Sequence, residues 1–322
     1  MGREGCVSAS LFMRKLGGGS QPILVRANDG YFYIVKFLDN PQGPNLLFNE
    51  ALGTELYRRV GLLTPEWRPV HVSEDFLDRY PECWMETQDG RLRPKAGWCF
   101  GSRYLSLRNS VVFEILPNGR FSDISNRRDF WTARVLDAFC GHADNRQALF
   151  LGPDSRSLRA YFIDHGHLFW GPFGTDYRSC MASQYLDPGI YADASAEDAD
   201  RVQGAILSLD IKAFSNVPGS LPDGWRTEAA ISALERFTSQ VSDPIKVRKL
   251  VGSILMAENI GEAHARRRSR YADWLKSADL HGQISLAGVD DRVVGRRFDL
   301  TCDQGRRRPK AVHSPCLLGA DF

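Results

Sequence analysis

Two Asp-bearing segments, centred on Asp144 and Asp164, restrict what this chain can fold into more than any other feature of it. Residues 127–140 carry Phe130, Trp131, Val135, Leu136 and Phe139 on one helical face and begin with Arg127, Arg128 and Asp129, which predicts a core helix. That helix runs straight into Gly141-His142-Ala143-Asp144-Asn145-Arg146-Gln147. Residues 148–151 and 159–163 then read as two short strands joined by a turn at Gly152-Pro153-Asp154-Ser155. The second strand ends in Asp164-His165-Gly166. The fold must therefore accommodate a helix, a carboxylate on a short polar loop, two strands and a second carboxylate, in that order.

Each carboxylate has a chemical and a conformational reading. On a rigid loop Asp144 can take a proton from a hydroxyl or orient it; alternatively, an Asp-Asn pair often caps its own turn. At Asp164, the apolar strand Tyr161-Phe162-Ile163 stops at the carboxylate, and Gly166 permits a sharp turn that aims it at a metal. An ordinary strand-to-turn Asp-x-Gly is the alternative. Magnesium is the expected ion, because hard oxygen donors suit it and no cysteine or histidine cluster lies nearby. His142 reads as a loop-structuring residue.

Upstream, Gly17-Gly18-Gly19-Ser20-Gln21-Pro22 precedes a strand over 23–26, Asn28-Asp29-Gly30 supplies hairpin turn chemistry, and 31–37 is rich in aromatic and β-branched residues. The glycine run is either a flexible linker or a turn whose amides cover phosphates; no Gly-Lys-Ser or Gly-Lys-Thr follows it, so it is not a Walker A loop. Lys36, near the end of the second strand, is either an exposed strand-end lysine or the amine that neutralises phosphate oxygens. In the second case it needs a carboxylate from the following helix, for which Glu50 is the best partner and Glu55 the second. That helix is predicted from Leu47, Ala51, Leu52, Leu56 and Val60 and ends at Gly61. With strand-like stretches at 67–72 and 98–105, the first hundred residues read as a small antiparallel sheet carrying one helix. Helical periodicity returns at 199–208, 226–240, 244–258 and 260–277. Phe169, Trp170, Phe173 and Tyr177 read as loop aromatics or an acceptor surface, and Arg266-Arg267-Arg268 with Arg270 as a solvated helix face. The expected division is 1–105, 106–281, and a disordered basic tail over 282–322.

Composition narrows the function classes. The 322 residues hold 41 Lys and Arg against 39 Asp and Glu, a net charge of +2, which disfavours nucleic acid as the main partner. Seven scattered cysteines with no Cys-x-x-Cys pair point to free thiols in a reducing cytoplasm and away from a zinc cluster. No apolar run approaches the length of a membrane span, so secretion and membrane insertion are disfavoured.

The succession Gly-Gly-Ser-Gln, Tyr-Ile-Val-Lys-Phe, Asn40-Pro41-Gln42-Gly43-Pro44, Asn49-Glu50, Phe100-Gly101-Ser102-Arg103, Ala143-Asp144-x-Arg146-Gln147-Ala148-x-Phe150 and Phe162-Ile163-Asp164-x-Gly166 resembles the bacterial HipA-like kinase domain family over roughly residues 15–180. The resemblance implies an α+β, two-lobed protein-kinase-like fold, with an N-terminal nucleotide-binding lobe, a mostly helical C-terminal catalytic lobe, and ATP and Mg2+ between them. It implies Lys36 on the nucleotide phosphates with Glu50 in support, Asp144 as the catalytic carboxylate and Asp164 on the metal. Gly18, Gly19, Ser20 and Gln21 would cover the phosphates, and Phe100, Gly101 and Arg103 would lie near the hinge that receives the adenine. A Ser or Thr of a protein is the implied acceptor, and some relatives have an antitoxin-type partner. One departure stands out. Kinases of this broad group place an Asn several residues after the catalytic Asp to hold a second metal, and the fifth residue on is Leu149. Gln147 or Asn145 must serve instead, or the chain is a pseudokinase that binds ATP or a partner without efficient transfer.

Overall fold

Alternating burial along the early strands shows how the first sheet closes. The computed structural model describes residues 6–105, 110–116, 120–174, 184–192 and 194–257. Strands β1 (Val7–Lys15), β2 (Ile23–Ala27) and β3 (Phe32–Lys36) are followed by helix α1 (Leu46–Arg59), β4 (Trp67–Val72), the short helix α2 (Glu74–Arg79), the hairpin β5 (Met85–Thr87) and β6 (Gly90–Leu92), and β7 (Gly97–Arg103). The strands join in the order β1-β2-β3-β7-β4 and close into a barrel. Every pairing is antiparallel except the closing one, where Val7 and Ser8 run parallel to Val70 and His71. Ile23, Val25, Tyr33, Val35, Val70, Val72 and Cys99 fill the interior. By the two-residue period of a strand, Leu24, Ile34, Lys36, Phe100 and Ser102 share the opposite face. The register confirms it, pairing Leu24 with Ile34, Ile34 with Ser102 and Lys36 with Phe100.

The expectation of an antiparallel sheet with one helix is thus extended by β1, α2, the β5–β6 hairpin and the parallel closure. Strand β1 escapes sequence reading because bulges between Ala9 and Leu11 and between Phe12 and Arg14 break its alternation.

Helix α1 is buried on nearly every side, with Arg58 and Arg59 at its basic end. Gly61 follows with φ 86° and donates to the Arg58 carbonyl, a glycine stop at the predicted position. Leu47, Phe48, Leu52, Leu56 and Tyr57 of α1 belong to a second core, shared with the later elements. Those are β8 (Val111–Phe113), α3 (Asp129–Phe139), β9 (Gln147–Gly152), β10 (Arg159–Ile163), α4 (Ala196–Leu207), α5 (Ile211–Ser215), α6 (Glu228–Val241) and α7 (Pro244–Ala257). Strands β10, β9 and β8 form a three-stranded sheet packed by Phe130 of α3 through Phe150 and Phe162. Each such aromatic taken from water contributes ~1.5–3 kcal/mol, so this core fixes both ends of the β9–β10 hairpin. The chain is an α+β protein. Tyr177, the helix expected over 260–277, its arginines and the tail over 282–322 lie outside the described residues. Among the described residues no helix is long and apolar enough to cross a membrane.

Candidate active site

Lys36 ends β3 on the outer face of the barrel, and it is 7% exposed. Its ammonium meets two carboxylates, Glu50 from the second turn of α1 and Asp164 Oδ1 at 2.7 Å from the end of β10. Burial alone would make the amine easier to deprotonate, but the paired carboxylates outweigh burial and raise its pKa. The two acids share that one cation unequally. Burial pushes Glu50 up from the usual carboxylate range. Asp164 keeps 27% of its side chain open to solvent. There the Lys36 charge overcomes burial, and its carboxyl is held well below its usual value. Asp164 is therefore the firmly ionised member.

Glu50 has further partners. Its Oε2 accepts from the His165 backbone N–H at 3.1 Å and its Oε1 from the Gly166 N–H at 2.9 Å. The Asp164 backbone sits at φ 59°, a left-handed conformation that Asp tolerates better than most residues. Gly166 is required by its surroundings, since a Cβ there would lie 2.3 Å from Leu46 Cδ1. One helix thus fixes the lysine, the turn and the carboxylate together.

Gln147 opens β9 directly opposite Ile163 of β10, and this register sets its side chain beside Asp164. Its Nε2 donates to Asp164 Oδ2 at 2.7 Å. Asp144 lies three residues earlier on an exposed stretch, where its Oδ1 accepts from the Asn145 N–H at 2.7 Å. Both ends of its loop are tied to the Asp164 turn. Ala143 N–H donates to the His167 carbonyl at 3.0 Å, and Arg146 Nη1 donates to the Ile163 carbonyl at 2.9 Å.

Arg146 is 1% exposed and forks onto Asp137 of α3 through Nε at 2.9 Å and Nη2 at 2.8 Å. The Tyr57 hydroxyl donates to the same carboxylate at 2.6 Å. Burial pushes the Asp137 carboxyl up, yet Arg146 holds it far below the ordinary range. Burial also lowers the pKa of His142 and His165, so both rings stay neutral. His142 accordingly structures the loop from a buried position, as expected.

The glycine turn connects β1 to β2, with Gly18 at φ 112°. Ser20 is buried and its carbonyl accepts from Asn40 Nδ2 at 2.8 Å; a Cβ on Gly19 would lie 2.5 Å from Gln42 Nε2. The Gln21 carboxamide is bonded to the Glu86 backbone, donating to the carbonyl at 2.6 Å and accepting from the N–H at 2.7 Å. Arg103 binds Glu66 Oε2 at 2.7 Å and lies 3.7 Å over the Tyr31 ring, at the opposite end of the pairing from Lys36. Phe100 is buried and stacks on Trp67 at 5.6 Å, and Gly101 is there because a Cβ would meet Val70 Cγ2 at 2.3 Å. These two shape the strand beside Lys36. Of the loop aromatics, Phe169 and Trp170 are buried and Phe173 is exposed.

Lys36, Glu50, Asp164 and Gln147 are thus gathered, with Asp144 on an attached loop. Sequence reading missed Leu24 and Ile34, which share the face of Lys36, and Asp137, and it gave no role to Asn49 and Arg146, which with Asp137 hold the loops. Polar residues within otherwise apolar helices were the available signal for Asn49 and Asp137. A magnesium ion suits this donor set, because Asp164 offers an ionised and partly open carboxylate. Among the described residues no three His, Cys, Asp or Glu side chains form a metal centre. Magnesium arriving with phosphates needs no such cage, since one or two carboxylates suffice.

No protein-family model and no curated protein matches the chain. Among solved structures, the chain is similar to the Helicobacter pylori proinflammatory kinase CtkA at 12% identity and a TM-score of 0.46, over 76% of this chain and 94% of that one. It is similar to the Golgi casein kinase with Mn/ADP bound at 13% identity and a TM-score of 0.42, over 78% of this chain and 72% of that one. A second structure of the Golgi casein kinase gives 11% identity and a TM-score of 0.42, over 78% and 74%.

Proposed function

We propose that this chain is a HipA-like, magnesium-dependent kinase of the cytoplasm that moves the γ-phosphoryl group of ATP to a hydroxyl, with a Ser or Thr of a protein as acceptor. Residues 1–105 would be its nucleotide-binding lobe and 106–281 its catalytic lobe. The observation that carries the reading is the buried Lys36 ammonium between Glu50 and Asp164, with Glu50 also binding the turn that follows Asp164. A buried lysine held by two acids is costly to build, and one positive charge against two carboxylates suits a site that receives a cation together with phosphates. Lys36 would neutralise phosphate oxygens, and the backbone of Gly18, Gly19 and Ser20 would cover them. Asp164, with Gln147 beside it, would hold magnesium, which would supply positive charge to offset that of the phosphates. Asp144 would orient the acceptor hydroxyl and take its proton as the oxygen bonds to the γ-phosphorus and the bond to the departing ADP breaks. An antitoxin-type partner is supported only by the family resemblance.

A second reading, a pseudokinase, is favoured by the Gln147 carboxamide, which replaces the usual Asn and donates to Asp164. The test is incubation with γ-labelled ATP and Mg2+ beside Asp144→Ala and Asp164→Ala. Transfer by the wild type and its loss in both variants is expected. Equal labelling in all three overturns the assignment of these carboxylates, whereas thermal stabilisation by ATP without transfer selects the pseudokinase. Label arriving from the α position instead identifies nucleotidyl transfer.

A further inference from the structure

Asn49 precedes Glu50 on α1 and is fully buried. Its Nδ2 lies 3.0 Å from the Gly166 carbonyl, 2.8 Å from that of Leu168 and 3.1 Å from that of Gly171. Its Oδ1 is buried without a partner. Only the amide's donor end is used, and it is aimed at three acceptors on one turn. Glu50 takes the complementary set, accepting the N–H groups of His165 and Gly166. Consecutive residues of one helix therefore read both polarities of the backbone that follows Asp164. Space is closed as well, since a Cβ on Gly53, one turn along α1, would lie 2.5 Å from His165 Cβ.

We infer that Asn49 is a positioning residue for phosphoryl transfer, the donor half of a two-residue latch that holds the Asp164 turn in the geometry that presents its carboxylate. The inference rests on the proposed kinase reading. It also implies that α1 and the turn move as one body, because α1 packs into the same core as the later helices. An outward swing of α1 would strip five backbone groups of their partners at once, which is costly for buried peptide groups.

The test uses the full chain. Asn49→Asp keeps the shape but turns a carboxylate oxygen toward three carbonyls, and Asn49→Ser, whose hydroxyl can donate to one carbonyl at a time, is the milder variant. Backbone hydrogen exchange is read over residues 164–171, with α3 and α6 as controls for folding. Exchange at 164–171 should rise about tenfold or more in Asn49→Asp, and less in Asn49→Ser, with the controls unchanged. The kcat should fall about 10- to 100-fold, the KM for ATP should stay within about twofold, and the Mg2+ needed for half-maximal rate should rise severalfold. A merely structural Asn would lower Tm without moving kcat per folded molecule or the Mg2+ requirement, and that result overturns the inference. So does wild-type exchange at 164–171 in both variants, whatever the activity. If the wild type transfers no label, faster exchange at 164–171 keeps the latch and removes only the kinase reading.

Discussion

Replacing Lys36 with Met tests the electrostatic centre of the site through stability alone, without any assumption about substrate. The substitution fills similar space and removes the ammonium between Glu50 and Asp164. Asp164 has 27% of its side chain in solvent and can be rehydrated, whereas Glu50 has 3% and cannot. Removing one partner of a buried pair costs about 3–5 kcal/mol, which for a structured region of this size lowers Tm by about 6–20 °C. The cost should depend on pH. In wild type Glu50 is already displaced upward by burial against the pull of Lys36, and without that pull it rises further. A carboxyl whose folded pKa is raised is favourable below its unfolded value of about 4.3 and loses that contribution as pH climbs through the folded value. Lys36→Met should therefore lie nearer wild type at about pH 5 than at about pH 8. Adding Glu50→Gln removes the buried charge while sacrificing one acceptor for the turn, at about 1–3 kcal/mol. The double variant should recover roughly half the loss at the higher pH and lose the part of the pH dependence that Glu50 contributes. Urea unfolding at both pH values provides the measurement. A double variant no more stable than the single one at the higher pH would refute the reasoning.

Three other perturbations probe separate parts of the structure. Gly53→Ala would normally stabilise a helix by about 1 kcal/mol, but its Cβ would stand 2.5 Å from His165 Cβ and 2.6 Å from Leu168 Cδ1. A net loss of about 1–3 kcal/mol is expected; a gain in urea unfolding would show that helix and turn are not so close. Arg146→Leu removes the guanidinium that balances the buried Asp137 carboxylate and should cost about 3–5 kcal/mol, with Asp137→Leu added on top restoring part of it. If equilibrium unfolding shows the two changes adding independently, the ion pair is not the organising contact. Finally, His142 and His165 are both pushed below the ordinary histidine range, chiefly by burial. The unfolded chain takes up protons there first, so stability falls as pH drops below about 6.5, by up to about 1.4 kcal/mol per pH unit for each ring until it is protonated in the folded state. Double substitution of both by Gln should flatten that slope in chemical denaturation across the range.

Local signals carried most of the elements that matter. Asn28-Asp29-Gly30 did mark the β2–β3 hairpin, with Gly30 at φ 84°, and the Lys36 and Glu50 pairing was legible because strand end and helix start lie close in sequence. The apolar face of α3 and the two strands before Asp164 were equally plain. The parallel contact of Val7 with Val70 was not, because it joins distant residues through a strand whose bulges erase its period. Gln21 and Arg103 were assigned by where they fall in a motif. Their partners, the Glu86 backbone and Glu66, are supplied by the fold and leave no local trace. Asn49 was visible as a residue but not as a device, since its acceptors lie more than a hundred positions away.

The structure also moves the question that Leu149 raises. Gln147 looked like the weak point, because a longer side chain loses more rotamer freedom when fixed. Yet Gln147 begins a strand whose register with Ile163 is set by five residue pairs, and its carboxamide is already bonded to Asp164. Much of that entropy is lost on folding, before any ligand arrives. Asp144 is the less committed group, exposed and bonded to its own loop, although both flanks of that loop are fastened by Ala143 and Arg146. Lys36 and Glu50 are therefore buried and interlocked with the Asp164 turn, while Asp144 is open, with Phe173 exposed beyond that turn. In a kinase built this way nucleotide handling is intrinsic to the fold, and the choice of acceptor falls to the groups around Asp144. An active enzyme and a pseudokinase would then differ in whether an acceptor draws that carboxylate away from its own turn.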